Sequence, residues 1–250
     1  MILNHKIHVL TKKEELDTVR LAGKVAVVLD VLFATSTMVT ALARGATAVV
    51  PVPDEAAARA VAAGLAPGSF VMAGELYAKT IEGFAPPTPL ALVEHGIAGR
   101  RLVYSTTNGT VAMNACAAAA EVEVYCGALL NGRALVERLV TAHRDQTVLL
   151  ICAGSMNNFN FEDFYGAGYL VDLLAARLGE HADFSDAARA ARALYLNGDP
   201  EPSLLGCRVG RMMAERGLEH EVRYAAQLST LDVVPRLQDR ELLADSYLPA

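Results

Sequence analysis

The sequence predicts an α/β protein in which a largely parallel or mixed sheet is covered by helices on both faces. Short apolar runs alternate with helical patterns along the first two thirds of the chain, the pattern of strands joined by crossover helices. The runs are apolar throughout rather than at every second residue, as strands buried on both faces require. Composition agrees: 53% of residues are hydrophobic, 20% are charged and none is tryptophan, so Ala, Val and Leu must build the interior.

In order, strands are expected at 25–29, 46–52, 69–73, 101–104, 122–126 and 148–152, and helices at 36–43, 54–63, 111–118, 133–143 and 161–178. Parallel neighbours need such crossovers, which cover both faces of the sheet. The last third is mainly helical in pattern. Ser185 suits the N-cap of a helix over 186–195, and a second helix is expected over 204–216. An extended piece at 231–236 is expected to add an edge strand. Pro200 and Pro202 read as a loop with apolar patterning on both sides, so residues 1–250 are expected to form one domain.

A formal charge of −6 with scattered Lys and Arg leaves no basic face for nucleic acid. Met1 to Leu10 mixes apolar residues with His5, Lys6 and His8 and lacks the layout of a signal or transit peptide. No run reaches the roughly 18 apolar residues of a membrane span. A cytoplasmic protein without nucleic-acid or membrane partners is therefore expected. Cys116, Cys126, Cys152 and Cys207 lack C-x-x-C spacing and read as buried thiols.

In an open parallel sheet the ligand crevice lies at the carboxyl ends of the strands. The first run ends in Asp30, with Thr35, Ser36 and Thr37 where a helix begins. Ser36, Thr37 and the free N–H groups there could hold an anion, or the hydroxyls could simply cap the helix. The third run ends in Gly74-Glu75, and a long irregular segment follows with Lys79, Glu82 and the prolines Pro86, Pro87 and Pro89. Glu75 and Glu82, with Asp30, could bind Mg²⁺, which takes one or two carboxylates plus water and substrate oxygens; a solvated loop with ordinary charges is the alternative.

The fourth run leads into Thr106-Thr107-Asn108-Gly109-Thr110, where hydroxyls, amide and backbone suit phosphate, sulfonate or carboxylate oxygens. A plain Asn-Gly turn with a Thr cap would use the same residues. The sixth run leads through Ser155 and Asn160 to Glu162-Asp163 at a helix start, a place that acids favour for structural reasons too. No G-x-S-x-G elbow, Walker A loop or G-x-G-x-x-G fingerprint is present, and no histidine pair has motif spacing. What remains is acid-plus-hydroxyl chemistry on a small anionic substrate, the set suited to metal-assisted phosphoryl transfer.

Asp30-Val31-Leu32, Ala34-Thr35-Ser36-Thr37, Gly74-Glu75, Ile81-Glu82-Gly83-Phe84, Thr106-Thr107-Asn108-Gly109-Thr110, Glu162-Asp163-Phe164 and Val233-Val234-Pro235 resemble, in order and spacing, the motifs of the 2-phosphosulfolactate phosphatase family. The resemblance implies a three-layer α/β/α fold, a Mg²⁺-dependent acid phosphatase that releases sulfolactate from its phosphate ester, and a homodimer. It carries over Asp30, Glu75, Glu82, Thr107, Asn108 and Glu162. The expected catalytic set is Asp30, Glu75, Glu82 and Glu162, with metal on the first three. Ser36, Thr37, Thr107, Asn108 and Gly109 are expected to bind substrate.

The chain also departs from the family pattern. Phe33 and Leu76 stand where an Arg is usual, Thr80 takes the place of a Lys, and Ala85-Pro86-Pro87-Thr88-Pro89 replaces Asp-x-Gly-Asn-Ser-Pro. Arg recognises phosphate or sulfonate bidentately, so a less highly charged ligand is expected, in a pocket made apolar by Phe33, Leu76 and Tyr77. Alternatively Arg44, Arg133 or Arg211 restores the charge from elsewhere. A different reaction on the same scaffold and an inactive ligand-binding protein are the competing functions.

Overall fold

In the computed structural model, which describes residues 5–245, the apolar runs assemble into one 11-stranded mixed sheet. The strands are β1 (His5–Leu10), β2 (Val25–Leu29), β3 (Ala48–Val52), β4 (Phe70–Leu76), β5 (Lys79–Thr80), β6 (Arg101–Ser105), β7 (Glu123–Gly127), β8 (Val148–Cys152), β9 (Ala182–Phe184), β10 (Pro235–Gln238) and β11 (Glu241–Ala244). Their spatial order is β5-β4-β6-β3-β11-β10-β7-β2-β8-β1-β9. Two parallel blocks result, β4-β6-β3 and β7-β2-β8-β1-β9.

The helices are α1 (Ala34–Ala43), α2 (Glu55–Ala63), α3 (Pro89–Glu94), α4 (Gly109–Ala117), α5 (Gly132–Ala142), α6 (Phe161–Leu178), α7 (Asp186–Leu196), α8 (Pro200–Gly206), α9 (Arg208–Glu215) and α10 (Glu219–Ala225). Successive strand residues point to opposite faces, and β2 shows the consequence. Val25, Val27 and Leu29 pack with Leu135 and Leu139 of α5 and Leu170 and Leu174 of α6. Ala26 and Val28 pack with Met38 and Leu42 of α1 and Met113 of α4. The architecture is therefore three layers, α/β/α. No helix among the described residues is long and apolar enough to cross a membrane, and the four cysteines are buried and free.

Several expectations need correction. Of the edge strand expected over 231–236 only Pro235 and Arg236 are strand, the start of β10, and it lies inside the sheet: the hairpin β10–β11 stands between the two parallel blocks. It touches each through one antiparallel pair, Arg236 with Tyr125 and Leu242 with Val49. Of the opening segment, the described part, from His5 onward, is strand β1, whose alternation of buried and exposed residues marks a strand near the sheet edge. Pro200 begins α8 behind Asp199 instead of marking a loop, a position where the missing N–H costs nothing. The helix expected over 204–216 is two helices, because Cys207 ends α8 and its sulfur accepts the Gly210 N–H that starts α9.

Helices α3 and α10 carried too short a pattern to be expected, yet one buried side chain joins them. The Glu221 carboxylate accepts the Thr88 hydroxyl (2.7 Å) and the backbone N–H groups of Leu90 and Ala91 (2.9 Å each). It thus caps α3 from another element and ties the proline loop to the C-terminal helices. Removing it strands three donors away from bulk water, so Glu221→Ala is expected to cost about 2–3 kcal/mol. Urea denaturation checks this.

Candidate active site

At the seam between the two parallel blocks, helices α1 and α4 leave β2 and β6 and their N-termini meet. A side chain on Gly109 would place its Cβ 2.5 Å from the Ala34 Cβ and 2.7 Å from Asp30 Oδ2. Only glycine permits this approach. It brings the Gly109 N–H to the Asp30 carboxylate, so the anion at the start of α4 is Asp30 itself. This corrects the expectation of a substrate anion bound at Gly109.

Asp30 is held from three sides. Its own N–H donates to Thr35 Oγ1 (3.0 Å), and the next N–H, of Val31, donates to Asp163 Oδ1 (2.9 Å). Asp163 Oδ2 also accepts the Gly154 N–H (3.1 Å), binding the ends of β2 and β8 to the first turn of α6. Burial raises the Asp30 carboxyl to about 7, with further upward pushes from the carboxylates of Glu75 and Glu162, against a downward pull from Gly109 N–H and Lys13. Glu162 and Asp163 are also raised, first by burial. Acidic charge therefore converges at this point beyond what the local cations neutralise.

Asp30, Glu75, Thr107 and Asn108 line one cavity of about 810 Å³ at the carboxyl ends of the strands. Glu75 faces it with much of its bonding capacity used. It accepts Thr107 N–H (2.6 Å), the Thr107 hydroxyl (3.1 Å) and Ala78 N–H (2.6 Å), three of about four lone-pair sites. The remaining expected residues fall elsewhere. Ser36 donates to Val31 O (2.8 Å) and Thr37 to Pro87 O (2.9 Å), so both hydroxyls brace loops from buried positions behind the wall. Glu162 lies buried beside Arg208 and Cys207, outside the lining. Glu82 is exposed, and its carbonyl accepts Arg59; it does not line the cavity, which reduces the expected carboxylate trio to Asp30 and Glu75.

Positive charge comes from Lys79, which the sequence named and which lines the cavity, and from residues it did not single out. Lys13, just past β1, donates to Asn108 Oδ1 (3.1 Å) and Ala153 O (3.2 Å) and acts on Asp30. Arg208 donates to Ser155 Oγ (2.6 Å) and Asn160 Oδ1 (3.2 Å) on the cavity wall. Arg216 reaches Ala78 O. Arg44, Arg133 and Arg211 are all exposed and away from the cavity, so its cations are not these three. Of the apolar trio, Phe33 and Tyr77 line the cavity, whereas Leu76 faces a smaller neighbouring cleft.

Among the described residues, no three His, Cys, Asp or Glu side chains form a ready-made cation cage. The donor set fits a cation held less completely. Glu75 keeps a spare lone pair, and Asp30, raised first by burial and then by the Glu75 charge, has a spare oxygen beside the same cavity. That suits Mg²⁺, which keeps several waters and takes one or two carboxylates.

Comparison with known proteins gives one answer. The profile of the family described as 2-phosphosulpholactate phosphatase matches residues 10–240. A relative from Symbiobacterium thermophilum is 36% identical over 218 residues, covering 86% of this chain and 91% of its own. One from Deinococcus radiodurans is 37% identical over 215 residues, covering 85% and 87%. A third, from Clostridium beijerinckii, is 27% identical over 242 residues, covering 96% of this chain and all of its own. All three carry the name probable 2-phosphosulfolactate phosphatase.

Proposed function

Because the chain belongs to the 2-phosphosulfolactate phosphatase family, whose members are phosphoric monoester hydrolases, we propose that it hydrolyses a small anionic phosphate ester with Asp30 as the catalytic base. The observation that carries this reading is one buried carboxylate, raised to about 7, at the strand end of a cavity that Arg208 also lines and whose Asn108 is held by Lys13. A general base works best with a pKa near the operating pH. Asp30 takes the proton of the attacking water as the new P–O bond forms, and the ester P–O bond breaks with its electron pair leaving on the alcohol oxygen.

Asn108, Ser155 and Arg208 orient the phosphoryl oxygens by hydrogen bond and charge, and Lys13 fixes Asn108. Thr107 acts indirectly, by fixing Glu75. Mg²⁺ would be held by Glu75 together with substrate oxygens and water, leaving Asp30 free to take the proton, and when bound it would supply Lewis-acid stabilisation of the phosphoryl charge. A cytoplasmic homodimer belongs to the same reading, with light scattering as its check.

The deciding experiment is phosphate release from 2-phosphosulfolactate, phospholactate and an aryl phosphate, with and without Mg²⁺. Release that needs Mg²⁺ supports the reading; absence of release from every ester by folded protein rejects it in favour of another reaction or a binding role. Mg²⁺ alone is also expected to raise the melting temperature by mass action, about 2.7 kcal/mol of stabilisation at a hundredfold excess over Kd. That gain should vanish in Glu75→Gln. A scanning fluorimetry titration reads it without turnover.

A further inference from the structure

The acidic end accounts for little of the cavity wall. Helix α9 carries Val209, Met212 and Met213 on one face, and Leu218 follows it; all four line the cavity, as do Leu32, Phe33, Pro86 and Pro87. The spacing of three and four residues is that of a helix stripe built for apolar contact. The volume of about 810 Å³ lies high in the range of roughly 300–1,000 Å³ that takes drug-sized ligands. Arg208 and Arg216, at either end of α9, already donate to Ser155, Asn160 and Ala78. A second anionic group placed against Phe33 or the α9 stripe would lose its hydration there, while Lys79, the remaining cation in the lining, stands at an exposed position on β5.

We propose that this wall seats a hydrocarbon body, so that the substrate is the phosphate monoester of a hydrophobic alcohol, its phosphoryl group at Asp30 and its apolar part along α9. The inference rests on the phosphatase reading above. It narrows the substrate class from small polyanions to amphipathic monoesters. Met156, Met212 and Met213 share the lining, and flexible thioethers fill gaps around apolar groups of varied shape. Specificity is thus expected to follow apolar size more than outline.

The test pairs binding with turnover. Calorimetry measures the affinity of non-hydrolysable ethyl-, butyl-, hexyl- and octylphosphonate in Mg²⁺, and phosphate release is measured from the matching alkyl phosphates. Affinity and kcat/KM are expected to rise by about three- to fourfold per methylene through hexyl. Met212→Gln and Leu218→Gln, both at half-buried positions, should each lower that slope, with circular dichroism confirming the fold. A flat binding series overturns the apolar seat, even if phosphate is released. A steep binding series without release from any ester upholds the seat and rejects the phosphatase reading instead. Tighter binding of 2-phosphosulfolactate than of hexylphosphonate overturns the proposal as well.

Discussion

Asp30→Asn is expected to lose about 10²–10⁴-fold in kcat, the usual contribution of a positioned base, and yet to melt at a higher temperature than the parent protein at pH 8 in EDTA. The folded protein raises this carboxyl from 3.8 to about 7, so it binds the Asp30 proton more tightly than the unfolded chain does. The corresponding stability is present in full below pH 3.8 and is lost as pH climbs to about 7. Above that, the buried charge is a standing cost. Its full value would be on the order of 4 kcal/mol, and because Glu75 and Glu162 share the repulsion, a gain of about 1–4 kcal/mol is expected from the neutral amide.

Asn can still accept the Gly109 N–H, so the loop geometry is retained. The two melting curves should converge below pH 3.8, where the side chain at this position is neutral in both proteins, folded and unfolded. Equal melting temperatures at pH 8 would mean that Asp30 is not an uncompensated buried acid.

The second large effect is expected at Gly109. Its φ does not demand glycine; space does, because an added Cβ meets Ala34 Cβ at 2.5 Å and the Asp30 Cβ at 2.9 Å. Both are fixed close to the backbone and cannot swing away. Gly109→Ala should push α1 from α4, break the N–H contact to Asp30 and cost about 1–3 kcal/mol by overpacking. A displacement of about 1 Å at the catalytic carboxylate is enough to cost on the order of 10²-fold in kcat. Gly206→Ala is the matched control, since nothing lies within 4 Å of a Cβ there. If the two variants behave alike in stability and turnover, the tight α1–α4 junction has no role in holding Asp30.

Local pattern alone determined the class of this fold. Continuous apolar runs such as 25–29 and 148–152 are confined to strands buried on both sides, and the Ser185 cap and its helix depend only on neighbours in sequence. The acidic and hydroxyl residues at the strand ends were equally visible. Their division of labour was not, because it depends on partners far away in the chain. Ser36 and Thr37 are consumed by Val31 and Pro87, and Glu82 faces solvent, while Lys13 reaches Asn108 across 95 positions. Reading the alternation at 5–10 as a strand would have placed Lys13 at a strand end; Arg208 and Arg216 had no such signal beyond the apolar spacing of α9.

The same distinction governs the sheet itself. Arg236 and Glu241 make 235–244 look like a surface hairpin, yet it closes the sheet between β3 and β7, with Arg236 bonded to Glu123 (2.9 Å) and Leu242 buried. Sequence therefore determined which segments could be strands and helices and which residues had the chemistry. Tertiary structure decided strand order, the source of the cations and the apolar wall from α9, since each depends on a long-range pairing that no local pattern encodes.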